Sequence, residues 1–456
     1  MSRRNGHGGR AAPPEEAPPE RDAHAEAVLE ARLGRPARDM LEATVVLEAW
    51  TGRPARSAMA AARNLVRLDV PPVRSLSSVD PFGDGDQASV VAEGVTLVLL
   101  IVSIAAWAAP IAKHLGPNVL SHAIRVALPI AVALQWGLRS RYLGRPHGIA
   151  CLARDGLGFW AVLLVLIDIP LVLQPLWGPV AAMLVPIWVG GAILIRRGWG
   201  MIYATLLVVA TIAMIADVAP PDLMLGVLTA ITLLMCFAAV HTRRRQRTNA
   251  RAGSVSRALM ASLIGGVLGA LLVADPSLGW GVHGAYPAVA LVPSVIGSYW
   301  GGYYLWHFYE AVPRGLRGVS LKGAGGLGLA DPAMSIFVGA IVRLIGATAV
   351  LSALVILLSD AFKGTDSLSV FIAFGCAGTF SMLIGMLEAF SLQTAALVAA
   401  TAALATEIAL TQLVHPHAPG ASLAIGATVG VALTLPPLLV RLARSGRVLA
   451  TTLWIQ

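Results

Sequence analysis

Twelve apolar runs, each long enough to cross the hydrocarbon layer of a bilayer, follow one another between residues 89 and 441. They lie near 89–109, 117–138, 157–174, 176–195, 199–217, 222–241, 257–274, 284–309, 333–359, 367–389, 392–414 and 420–441. Backbone groups in hydrocarbon must bond to each other, and successive runs of this length do so as α-helices. The expected fold class is therefore all-α, a polytopic bundle of about twelve transmembrane helices. Composition agrees. The chain is 56% hydrophobic and only 13% charged, too little charge to solvate a soluble surface of this size.

Basic residues set the expected orientation. Alternate connections carry Arg139, Arg141, Arg145 and Arg154, then Arg196 and Arg197, then Arg243, Arg244, Arg245, Arg247, Arg251 and Arg257. Arg314, Arg317 and Lys322 follow, and finally Arg441, Arg444 and Arg447. The opposite connections carry only Lys113 and Lys363, a division of 18 against 2. By the positive-inside rule both termini are cytoplasmic in the cell membrane. The net charge of +9 thus reflects loops that set topology and meet anionic lipid headgroups, and no nucleic-acid partner is expected. The first 88 residues hold no apolar run resembling a signal peptide, so the first span is expected to act as an uncleaved insertion signal.

Residues 1–21, rich in Pro, Glu, Arg and Gly, read as a disordered tail. From 22 to 69 the pattern is helical. Gly34-Arg35-Pro36-Ala37-Arg38 recurs as Gly52-Arg53-Pro54-Ala55-Arg56. Gly ends helices in a left-handed conformation and Pro is tolerated in the first turn of the next. Three short helices are expected, near 22–33, 36–51 and 54–69, with Met40, Ala43, Leu47 and Trp50 as an apolar stripe on the second. This cytoplasmic module is either a cap on the membrane domain or a docking unit for a partner enzyme. Residues 70–88, with Pro71, Pro72, Pro81 and Gly83, read as a linker, and 442–456 as a cytoplasmic tail.

Ionisable residues at membrane depth are costly and mark function or structural pairing. Arg125, Asp168, Arg343 and Glu407 are expected near mid-depth, with Glu93, Glu310 and Glu388 nearer the inner interface. The four deeper groups either pair to fix helix packing or line a water-filled cavity. The run from Gly297 to Glu310 concentrates aromatics. An interfacial belt accounts for Trp306, Phe308 and Tyr309, but less well for the deeper Tyr299 and Trp300. Tyr299, Tyr303 and Trp306 share a helical face, beside a second face of Trp300, Tyr304 and His307. Rings so placed pack against sugar C–H faces, while their polar tips hydrogen-bond the sugar edge.

Other features carry little. Gly323 to Gly328 is glycine-rich but lacks the Lys-Ser/Thr ending of a phosphate-binding loop. His415 and His417 have no further ligands nearby, and Cys151, Cys236 and Cys376 are widely spaced. No cofactor or metal and no catalytic set is expected.

The plan over residues 89–441 resembles polysaccharide exporters and lipid-linked-sugar flippases of the multidrug/oligosaccharide/polysaccharide superfamily. That resemblance, one of architecture, implies cationic residues in a central cavity, here Arg125 and Arg343, and sugar rings against Tyr299 to Trp306. The N-terminal module departs from the usual start of that family. A major-facilitator plan also has twelve spans, but its Gly-x-x-x-Asp-Arg-x-Gly-Arg-Arg loop is replaced here by Arg139-Ser140-Arg141-Tyr142-Leu143-Gly144-Arg145-Pro146. A further alternative is a noncatalytic membrane subunit, anchoring a cytoplasmic glycosyltransferase or other synthase component.

Overall fold

The computed structural model describes residues 22–34, 37, 40–65, 84–143, 148–242, 252–278, 290–292, 367–414 and 417–443. All regular structure among them is helical. The chain divides into two compact units, one holding the described residues up to Leu65 and the other those from Asp84 to Ala443.

The N-terminal unit is three helices, α1 (Ala23–Leu33), α2 (Met40–Thr51) and α3 (Ala55–Leu65). The Asp22 carboxylate caps α1 by accepting from the Ala25 N–H at 3.1 Å. Gly34 and Gly52, the first residues of the two repeats, adopt φ of 63° and 69° after α1 and α2, as the repeat predicts. The second helix starts at Met40 rather than 36, since Ala37 lies outside it; the end of the third expected helix, 66–69, lies outside the described residues. Ala25, Leu29, Ala43, Val46, Leu47, Ala58, Ala61 and Ala62 form the unit's own core. Trp50 departs from the expected stripe. It is 50% exposed and covered by the Arg32 guanidinium, 3.7 Å above its ring. Arg53 pairs with Asp22 and so ties the second repeat back to the start of α1.

The second unit begins with α4 (Asp84–Leu115), which enters the segment expected to be linker. Asp84 and Asp86 favour the N-terminal turn of a helix, and no proline follows Pro81 until Pro110. After α5 (Val119–Leu138) come two π-helical turns, Arg139–Leu143 and Leu152–Gly156, around the single turn α6 (Gly148–Cys151). The chain bends by 77° between 148–154 and 158–172 as it enters α7 (Leu157–Val172). A tight turn at Gln174-Pro175, as expected, leads into α8 (Trp177–Arg197). There follow α9 (Gly200–Ile215), α10 (Pro221–His241), α11 (Val255–Leu271), a 3-10 turn at Pro276–Leu278, α12 (Ser367–Ala389), α13 (Gln393–Leu413) and α14 (Ala421–Ala443).

Seven of these helices are long and apolar enough to cross a membrane, or eight if the bent pair entering α7 is a single span. The protein is a multi-pass membrane protein. Ten of the twelve expected spans coincide with described helices, although α9 and α11 are only 16 and 17 residues long. Apart from residues 290–292, the run at 284–309 lies outside the described residues, as does all of 333–359. Leu166, Ile169, Val209, Ile212, Leu234 and Phe237 on α7, α9 and α10 are exposed, as lipid-facing side chains are.

The helix α8 is the most enclosed span. Its carbonyls accept from neighbours: Tyr203 Oη donates to Ile187 at 2.8 Å, and Gln135 Nε2 to Trp188 at 2.8 Å. The helices α5 and α11 run antiparallel in close contact. A Cβ at Gly269 would lie 2.6 Å from Pro129 Cα, and one at Gly265 2.8 Å from the Trp136 side chain. Small residues let the backbones approach where lipid offers no hydrophobic drive.

Candidate functional site

Of the eight substrate-path candidates, Arg125, Asp168 and Glu407 are described; Tyr299, Trp300, Tyr303, Trp306 and Arg343 lie outside the described residues. The three are not at mid-helix. Arg125 comes six residues after the start of α5, Asp168 four before the end of α7, and Glu407 six before the end of α13. At 1.5 Å per residue each is within about 9 Å of a helix terminus.

These termini belong to one end of the bundle. Lys113 and His114 in the last turn of α4 meet Asp217 after α9, which brings the α4–α5 and α9–α10 connections together. The antiparallel α5–α11 seam puts the end of α11 there too, and Ser422 at the start of α14 reaches Asp275 beyond α11. The antiparallel contact of Tyr203 with Ile187 places the α7–α8 turn on the same side.

The three groups stand on different helices, and no ion pair joins them. The Arg125 Nε, the Asp168 Oδ1 and both Glu407 carboxylate oxygens are buried without a hydrogen-bond partner among the described residues. Glu407 is the extreme case, with 0% of its surface exposed. Burying a charge without partners is among the costliest arrangements a protein can hold.

A group that sequence reading missed lies beside it. Asp275, in the turn after α11, is 3% exposed. Its Oδ1 accepts from the Ser277 N–H at 2.8 Å and from the Ser277 hydroxyl, and its Oδ2 from the Ser422 hydroxyl. The Ser277 hydroxyl oxygen also accepts from the Gly420 N–H at 3.2 Å, so the turn after α11 is tied to the turn before α14. The Asp275 charge acts on Glu407, and the Asp275 backbone N–H approaches the Glu407 carboxylate. That approach falls short of a hydrogen bond. Gly426 on α14 permits this density: a Cβ there would sit 2.7 Å from the Ala403 carbonyl and 3.1 Å from Glu407 Cβ. In sequence, Asp275-Pro276-Ser277 signals only a turn; the contact to Ser422, 147 residues away, carries no local mark.

At the other end of the same helices, Glu388 on α12 lies within the influence of Arg139 and Arg257. Glu388 therefore has basic neighbours, whereas the buried Asp275–Glu407 pair has none among the described residues. Among the described residues no group of three or more His, Cys, Asp or Glu is placed to hold a metal ion, and none of the three cysteines forms a disulfide. No protein-family model matches the chain, and no curated protein matches it.

Proposed function

We propose that this chain is a membrane transporter or flippase with twelve spans and cytoplasmic termini, moving a polysaccharide or lipid-linked sugar across the cell membrane. The observation that carries transport is Glu407, a fully buried carboxylate with no partner among the described residues, close to a second carboxylate. Ionisable residues at such depth generally mark ion and substrate pathways. Arg125, whose Nε is buried and unpartnered, supports the same reading. The sugar rests on the aromatic faces of Tyr299, Tyr303 and Trp306, and of Trp300 beside them.

The test is translocation of a fluorescent lipid-linked sugar in proteoliposomes, read by loss of label to an impermeant quencher. Translocation above protein-free vesicles is expected, reduced more by Tyr299→Ala or Trp300→Ala than by Tyr309→Ala. Transfer no faster than in empty vesicles contradicts the sugar-flippase reading. Reporter fusions after Asp217, Asp275 and His415 should face outward and those after Arg197 and Arg247 inward; a reversal from one point onward disproves the twelve-span topology.

A second reading, a noncatalytic subunit anchoring a synthase enzyme, is favoured by the N-terminal unit. That unit has its own core and presents a half-exposed Trp50 beneath Arg32. Deleting residues 1–69 should then abolish polymer synthesis in cells while the remaining chain still inserts.

A further inference from the structure

We propose that Glu407 and Asp275 form a buried site for one positive charge, a proton or a sodium ion, supplied from the outer face. As the driving step of transport, this uptake rests on the transporter reading above; as a binding site, it stands on the geometry alone.

The two carboxylates play different parts. Asp275 is anchored: three donors, the Ser277 N–H and the hydroxyls of Ser277 and Ser422, hold its carboxyl group in place. Glu407 is not anchored. Neither of its oxygens has a donor among the described residues, and the nearby Asp275 N–H does not complete a bond. Two like charges this close in a water-poor setting cannot both persist without a counter-charge.

The elements packed on α13 supply none among their described residues. On α14 the basic group is Arg441, at the far end of the helix, and on α11 it is Arg257, also at the far end. The carboxylate of α12 is Glu388, at the far end again. His417, in the turn before α14, is exposed.

The chemistry of the site selects its occupant. Its potential ligands are oxygens of carboxylates and serines, which suit a hard cation or a proton. Its position matters as much. Glu407 rides on α13, Ser422 on α14, and Asp275 follows α11. A positive charge between the carboxylates draws the three helices together, and its departure leaves two anions that push them apart. An occupant that binds one arrangement better than the other shifts the balance between them.

The test is infrared difference spectroscopy on the full-length protein in liposomes. It starts in sodium-free choline buffer, with pH stepped upward and then sodium chloride added at fixed pH. A proton site gives one protonated-carboxyl C=O band at neutral pH that is lost on alkalinisation. A sodium site gives a carboxylate change on adding sodium chloride but not choline chloride. In either case Glu407→Gln loses the change. Two results overturn the proposal: a wild-type spectrum with neither a titrating carboxyl band nor a sodium-specific change, or one in which the change survives in Glu407→Gln. Because no transport substrate is needed, a positive spectrum from a protein that moves no lipid-linked sugar leaves the site standing and removes only the sugar-transport reading.

Discussion

Two acidic sites lie at the same end of the bundle and are built on opposite principles. Asp217, after α9, is exposed and has two basic neighbours: Lys113, and His114 at 2.7 Å. The hydrogen bond from Lys113, then that from His114, holds its carboxyl below the ordinary value of 3.8. The Asp275–Glu407 site is buried and has no basic neighbour among the described residues. Where water would have solvated a carboxylate at little cost, the protein supplies cations; where the cost is high, the described residues supply none. A tether between helix ends accounts for the first. Stability does not account for the second, since a buried unpaired carboxylate opposes folding.

The largest expected effect falls on the anchored half of the buried site. Asp275→Ala strands the buried Ser422 hydroxyl and takes the acceptor from the exposed Ser277 N–H and hydroxyl. Each buried donor left without an acceptor costs about 1–3 kcal/mol. We expect loss of folded protein from the membrane, measured by detergent-solubilised yield and unfolding midpoint. Wild-type stability in this variant would mean that the serine contacts do not anchor the turn.

The seam that carries Asp275 should be next in sensitivity. Gly269→Ala places a methyl against the Pro129 backbone and forces α5 and α11 apart, at about 1–3 kcal/mol. Gly226 on α10 has nothing within 4 Å of its missing Cβ. Alanine there should be neutral or slightly stabilising, because a helix interior prefers it. Equal unfolding midpoints for the two variants would contradict the α5–α11 packing.

Much of this was legible in sequence because it depends on local composition. The apolar runs, the Gln174-Pro175 turn and the helix-ending Gly34 and Gly52 announce themselves within a few residues. The extension of α4 into the expected linker was hidden by Pro81 and Gly83, which suggested a break one turn too far along the chain. The partnership of Asp275 with Ser422 was invisible, because tertiary packing joins two turns 147 residues apart. Trp50 illustrates the reverse: helical periodicity assigned it to a buried stripe, and Arg32 covers it on the surface instead.

A smaller effect is expected at the exposed site. Asp217→Asn should lower the unfolding midpoint only slightly, as exposed pairs contribute little. Its sign with pH is fixed. A carboxyl with a lowered folded-state pKa stabilises above its unfolded value and loses that contribution as pH falls through the folded one. The difference between wild type and Asp217→Asn should therefore be present near neutrality, begin to shrink below about pH 4 and vanish only below the lowered folded-state value. A difference that grows on acidification would show that Lys113 and His114 do not tether this carboxylate.

The smallest predicted change is the most informative. The unfolding midpoint of Glu407→Gln, measured beside wild type in the same detergent at neutral pH, asks whether Glu407 is held for structure or for function. Glutamine keeps the shape and removes the ionisable group. The account predicts a midpoint equal to or above wild type, because no cation among the described residues is left unpaired by the change. A fall equivalent to about 3–5 kcal/mol, the cost of breaking a buried ion pair, would make Glu407 one half of a structural pair and contradict its role as a functional carboxylate.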